Sequence, residues 1–306
     1  VTRSSSTLPP VIRRGEAGDD MFSLVITPEN AGWGYSSMRI LELPAGGSAT
    51  FGTGEDEMCV LPLQGGCVVE CLDADGTKDR FEIIGRGGVF TRVTDFAYVP
   101  RDAEVTVSSA AGGRFALPAA RATRRLPARY GPAEGVQVEL RGAGQASRQV
   151  NNFCTPATFE ADKMMAVEVL TPSSNWSSFP PHKHDEEREG ESQLEEVYYF
   201  EVDPGSSGEE SGVGYQRVYT SGPGREIDVC TEVRTGDTVL VPHGWHGPSM
   251  AAPGYHLYYL NVMAGPSPDR TWLICDDPAH AWVRGTWEGQ EIDPRLPLTS
   301  TEEKSS

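Results

Sequence analysis

Apolar and polar residues alternate with a period of two along many short stretches of this chain, and the 3.6-residue period of amphipathic helices is scarce. In the first half, residues 38–43 alternate and stop at Pro44-Ala45-Gly46-Gly47. Residues 57–63 and 67–72 follow, separated by Gly65-Gly66, which predicts a turn. Asp73-Ala74-Asp75-Gly76 predicts a hairpin, and residues 97–100 and 104–107 continue the series. In the second half, residues 164–170, 195–202, 216–220, 238–241 and 256–263 have the same texture. Short strands at this spacing predict an all-β chain with a sandwich or barrel in each half.

Residues 118–135 are rich in Ala, Arg, Pro and Gly and carry Arg121, Arg124, Arg125 and Arg129. They read as a linker, dividing the chain into residues 1–135 and 136–306. The acidic run 185–193 and the Ser/Gly/Glu-rich run 206–214 read as exposed loops, and residues 299–306 as a frayed tail. Exposed strand edges in both halves call for cover by a partner chain or a swapped terminal strand, so a homo-oligomer is expected.

Composition narrows the function. With 306 residues, 34 Gly and 23 Pro, the chain suits strands joined by tight turns. Its formal charge of -18 argues against nucleic acid or an anionic membrane as a partner. No apolar run reaches about 18 residues, the length of a transmembrane helix. Residues 1–10 lack the apolar core of a secretory signal. The six cysteines have no CxxC or zinc-finger spacing and read as buried free thiols, which with the missing signal points to the cytoplasm.

All six histidines fall after residue 181. In Pro181-His182-Lys183-His184, two imidazoles separated by one residue on an extended segment project from the same face. Glu196 opens the strand-forming run Glu-Val-Tyr-Tyr-Phe, with Tyr198 on its own face and Glu195 on the other. Residues 236–246 give a turn, a strand and a second turn ending at His246, with His243 as an alternative. His182, His184, Glu196 and His246 would bind one divalent metal ion and leave room for substrate. Zinc and manganese are the leading ions; iron and nickel accept the same mixed shell.

These two stretches resemble the two signatures of the cupin superfamily, which implies two jelly-roll barrels, the first free of metal. The segment between His184 and Glu196 is longer than the common pattern, which leaves Glu195 and Glu191 as alternative ligands. The run Asn175-Trp176-Ser177-Ser178-Phe179-Pro180-Pro181-His182-Lys183-His184-Asp185 is similar to 5-deoxyglucuronate isomerases of myo-inositol catabolism. So are residues 194–199, 216–220 and 258–266, and Ile26-Thr27-Pro28-Glu29-Asn30-Ala31-Gly32-Trp33 in the first half.

That resemblance implies an aldose–ketose isomerisation of a small sugar acid, 5-deoxy-D-glucuronate, to 2-deoxy-5-keto-D-gluconate. Such a reaction needs a metal ion to stabilise developing oxyanion charge and a general base for a carbon-bound proton. Glu195, His243 and Tyr258 are candidates for the base. Lys183 and Arg217 are candidates for the substrate carboxylate, although strand alternation can turn Lys183 outward, and Tyr198 is a candidate hydroxyl donor. A metal-dependent dioxygenase and a noncatalytic sugar-binding bicupin are the competing readings, because this fold hosts many chemistries.

Overall fold

The computed structural model describes residues 7–205 and 211–302. The chain is almost entirely β, as the alternation predicts. In the first half the 17-residue strand Asp56–Leu72 is the spine. Its first part pairs with Phe96–Val99 and Gly113–Arg121, and its last part with Lys78–Arg86 and Glu104–Ser109. Gly65-Gly66 is therefore a bend inside one strand and not the expected turn. Gly65 has φ +83, and a Cβ there would lie 2.5 Å from the Gly112 carbonyl oxygen, so only glycine lets the strand turn this corner.

In the second half a seven-stranded sheet runs in the order Val11–Ile12, Thr238–Val241, Glu195–Val202, Leu257–Ala264, Met165–Thr171, Arg148–Cys154, Gln137–Arg141. A second sheet carries Gly214–Tyr219, Trp245–Ala251 and His182–Lys183 and closes the barrel. The N-terminal strand Val11–Ile12 crosses over and covers the edge at Thr238–Val241. The edge protection assigned to a partner or a swapped strand thus comes, at that edge, from this chain itself.

Three apolar clusters follow from strand parity. One fills the first barrel with Met58, Val60, Val69, Phe115 and their neighbours. One lines the second barrel with Val169, Tyr198, Phe200 and Tyr259. The third lies between the barrels, where Val197, Tyr199, Tyr258 and Leu260 meet Ile26, Met38, Ile40 and Leu61. The central sheet of the second barrel is therefore buried on both faces, which accounts for its nearly continuous hydrophobic strands.

Polar groups bind the halves together within that apolar layer. Arg86 from the first half reaches Glu168 of the second, both side chains almost fully buried. The Tyr258 hydroxyl and Asn151 Nδ2 also donate to Glu168, at 2.8 and 3.1 Å. Arg114 pairs with Glu201 at 2.6 Å. Two carboxylates clasp the halves reciprocally. Glu195 accepts from the amides of Gly34, Tyr35 and Ser36 at 2.6, 2.8 and 3.0 Å. Glu57 accepts from the amides of Asp162, Lys163 and Met164 at 2.7, 2.5 and 2.7 Å. The loop facing Glu195 follows the helix Pro28–Ala31, capped by Thr27 and ended by Gly32, so the first-half motif serves the junction.

Several loop expectations are corrected. Residues 118–121 belong to a strand, and Arg121, Arg124, Arg125 and Arg129 each pair with an acidic residue. The acidic run 185–193 is a hairpin in which Asp185 and Glu191 are buried around the Lys183 ammonium. Thr299 is buried and exchanges hydrogen bonds with Gln149, so the tail is docked at least that far. The cysteines are free, but Cys230 is exposed and Cys275 half-buried. Residues 206–210 of the expected Ser/Gly/Glu loop lie outside the described residues.

Removing Arg86 leaves the buried Glu168 carboxyl without its ion-pair partner from the other half. Arg86→Met is expected to lower the unfolding free energy in denaturant by about 3–5 kcal/mol, and adding Glu168→Met to recover most of that loss. A single variant as stable as the wild type would contradict this.

Candidate metal centre

His182, His184 and His246 converge in the second barrel. Their nearest ligating nitrogens all lie within 4.8 Å of one another, and all three residues are buried. His182 stands directly opposite His246 in the sheet register. Each ring is held from behind by a backbone carbonyl. Nδ1 of His182 faces the Pro180 oxygen at 3.4 Å, that of His184 the Leu194 oxygen at 3.2 Å, and that of His246 the Gly244 oxygen at 3.1 Å. With Nδ1–H donating to a carbonyl, each Nε2 presents a lone pair to the common centre.

Two glycines make this backbone possible. Gly244 has φ +100 and supplies the carbonyl that orients His246, while its own amide donates to Asp185 at 2.8 Å. Gly247 has φ +102, and a Cβ there would fall 1.8 Å from the Ser178 carbonyl oxygen. The strand bearing His246 therefore packs against the Ser177-Ser178 turn only if position 247 lacks a side chain.

Of the three candidate glutamates, Glu196 reaches the imidazoles. Its Oε2 lies 3.1 Å from Nε2 of His184 and 3.1 Å from Nε2 of His246. Burial opposes its charge, yet the imidazoles of His246 and His184 hold the carboxyl far below its ordinary range. Burial, together with the neighbouring His246 and His184, pushes His182 well below the usual imidazole value. Burial works against a charged His184 too, but Glu196 outweighs it and raises that group. A proton on His184 satisfies one contact, whereas His246 Nε2 makes no hydrogen bond of ordinary geometry among the described residues. Buried lone pairs facing a carboxylate are costly unless a cation lies between them. The donor set of three imidazoles and one carboxylate fits a divalent transition metal.

A cavity opens onto this centre, lined by His182, Glu196, Tyr198, Tyr259, Asn261 and Arg148, among others. Tyr198 lies where the alternation predicts. Its hydroxyl is 3.3 Å from Ser178 Oγ, which is 3.1 Å from the Tyr259 hydroxyl. Burial raises both phenols, so they remain protonated donors. Asn261 Nδ2 and Trp272 Nε1, also on the wall, make no hydrogen bond of ordinary geometry among the described residues.

The remaining candidates stand elsewhere. Lys183 turns outward, and its ammonium is taken by Asp185, Glu186 and Glu191, each at 2.7 Å. Arg217 pairs with Asp228 and packs over Tyr219, outside the cavity lining. Tyr258 faces the first barrel and donates to Glu168. Glu195 is occupied at the junction, where burial raises its pKa in spite of three amide donors. His243 is half-buried and does not line the cavity. Glu191 is held by Lys183 and Arg188. Sequence reasoning assigns Tyr259 to barrel filling and Arg148 to the domain junction, and it passes over Asn261, Arg141 and Arg284; the structure places all five on the cavity wall. The missing information is register: Tyr259 and Asn261 stand opposite Phe200 and Tyr198, and directly opposed residues share a face.

The model of the KduI/IolB family matches residues 11–283 of this chain. The chain belongs to that family. It is 42% identical over 262 residues to a 5-deoxy-glucuronate isomerase of Geobacillus kaustophilus (strain HTA426), covering 84% of this chain and 89% of that protein. To the protein of the same name from Bacillus subtilis (strain 168) it is 38% identical over 261 residues, covering 84% and 91%. The crystal structure of an IolB-like protein from Salmonella typhimurium LT2 superposes with a TM-score of 0.80 at 34% identity, over 90% of this chain and 99% of that one. An oxalate decarboxylase from Lactobacillus farciminis has a TM-score of 0.58 at 11% identity, over 89% of each chain, and shares the cupin fold.

Purified wild-type protein is expected to hold about one equivalent of divalent metal per chain, measured by elemental analysis. His182→Ala and Glu196→Gln are expected to lose most of it while keeping the β-sheet circular dichroism. Arg217→Met is expected to keep it. Full metal content in His182→Ala would place the ion elsewhere.

Proposed function

We propose that this chain is a metal-dependent 5-deoxy-glucuronate isomerase that moves the carbonyl of the sugar acid between adjacent carbons, yielding 2-deoxy-5-keto-gluconate. The observation that carries this reading is the identity to isomerases over most of both chains, joined to a centre of three imidazoles and one carboxylate at a polar cavity. His182, His184, Glu196 and His246 would hold the ion, with zinc or manganese the leading candidates. When bound, it supplies polarisation of the carbonyl and the neighbouring hydroxyl.

The rest of the chemistry falls to the chain. Tyr198 and Tyr259, kept protonated by burial, donate hydrogen bonds to substrate oxygens. Ser177 and Ser178 hold the Tyr259 hydroxyl in place from two sides, at 3.0 and 3.1 Å. Asn261 Nδ2, on the cavity wall beside Tyr198, is a donor for a sugar hydroxyl. The titratable groups that line the cavity are His182, Glu196, Tyr198, Tyr259 and three arginines, so proton transfer from carbon is sought among these and solvent. Glu195, His243 and Tyr258 are set aside as the base. No helix among the described residues is long and apolar enough to cross a membrane. We assign the protein to the cytoplasm, acting on a small molecule.

Anaerobic incubation of the metal-loaded protein with 5-deoxyglucuronate, followed by NMR, is expected to show a ketone product. Chelation should abolish it and metal should restore it. Turnover without oxygen excludes the dioxygenase reading, and no ketone from a folded, metal-loaded sample would refute the isomerase. In the same assay Glu195→Gln is expected to keep kcat within about threefold, although it unfolds more readily, because its carboxylate accepts amide hydrogen bonds at the junction.

A further inference from the structure

The lumen of the second barrel contains a positive charge that its own walls do not neutralise. Arg141, Arg148 and Arg284 line the cavity that also exposes His182 and Glu196. Two of them have counter-ions: Arg141 reaches Glu139 at 2.9 Å, and Arg284 grips both oxygens of Asp276. Arg148 has no ion pair among the described residues; Nη1 donates to the Ala146 carbonyl at 3.2 Å. Gly142 has φ +80, and a Cβ there would lie 2.1 Å from the Ala146 carbonyl oxygen and 2.9 Å from Nη1 of Arg148, which donates to that oxygen. Burial, with Arg141 and Arg284 close by, brings its pKa down to about 10, which still leaves it charged at neutral pH.

A half-buried guanidinium beside two more, in a chain with a net charge of -18, is costly unless an anion enters the cavity. The cations that the sequence offered for an anionic substrate are already taken, Lys183 by three carboxylates and Arg217 by Asp228. A six-carbon sugar acid carries its carboxylate at the end opposite its aldehyde. A cavity that meets the aldehyde at the imidazole cluster therefore needs a separate cation for the other end. We propose that Arg148 is the substrate-carboxylate residue of this enzyme. The Trp272 indole N–H, without a hydrogen bond of its own among the described residues, is a further donor on the same wall. The assignment rests on the isomerase reading.

The test is steady-state kinetics of the metal-loaded wild type, Arg148→Met and Arg148→Lys with 5-deoxyglucuronate, together with metal content and melting temperature for each. Loss of a charge-assisted, two-point contact predicts that Arg148→Met raises KM roughly 10- to 100-fold, with a smaller effect on kcat and unchanged metal content. Arg148→Lys should keep the charge without the planar fork and recover part of the KM. If the wild type turns over and Arg148→Met keeps its KM within about twofold, the arginine assignment falls and the isomerase stands. If the wild type does not turn over, the isomerase reading itself falls. Should Arg148→Met fail to fold, Arg148→Lys decides: a raised KM with full metal content supports the assignment, and an unchanged KM overturns it.

Discussion

Three imidazole lone pairs and one carboxylate, brought to a single point in a closed lumen, are what the rest of this structure is arranged around. Among the described residues, His246 Nε2 makes no hydrogen bond of ordinary geometry with the others. The backbone carbonyls of Pro180, Leu194 and Gly244 fix the rings from behind, so the unmet valence points inward. Gly244 and Gly247 shape the turn and strand that carry His246, and Ser178 closes against Gly247. Lys183, between the two paired histidines, is drawn outward by three carboxylates, and this clamp helps keep both imidazoles on the inner face. The acidic hairpin that sets this chain apart from the common cupin pattern is the source of those carboxylates.

One sheet does two jobs by strand parity. On Glu195–Val202, the residues Glu196, Tyr198 and Phe200 serve the lumen, and Glu195, Val197, Tyr199 and Glu201 serve the junction with the first barrel. The same split places Tyr259 and Asn261 in the lumen and Tyr258 at Glu168. The first barrel has an apolar interior, and residues 1–135 carry no histidine. Its partnership is more than hydrophobic: Glu57 and Glu195 each satisfy three amides of the opposite half, and Arg86 enters the shared layer to meet Glu168. Leaving any of these buried groups unpaired costs more than the pair itself contributes, so such contacts fix the orientation of the halves as well as their association.

Much of this was legible in the residues. Alternation gave the all-β class and most of the central strands, and residues 195–202 and 238–241 have the bounds observed. The His-x-His spacing and the turn, strand and second turn of residues 236–246 pointed to the centre. What was hidden depends on register between distant strands. Arg148 and Val150 share the lumen face with Val169 and Tyr259 only because three strands align as they do, and a single sequence does not reveal that alignment. Lys183, Arg217, Tyr258 and Glu195 looked available because charge and hydroxyl are visible in a sequence and their partners are not. The Gly65-Gly66 bend looked like a turn because glycine marks both.

The binding of one metal ion by His182, His184, Glu196 and His246 is tested most directly by anomalous diffraction from crystals of the metal-loaded protein, collected on both sides of the metal's absorption edge. The account requires a single peak in the second barrel, about 2.0–2.2 Å from Nε2 of His182, His184 and His246 and from a Glu196 oxygen. A peak elsewhere in the fold, or a metal-loaded protein with none among these four side chains, would contradict it.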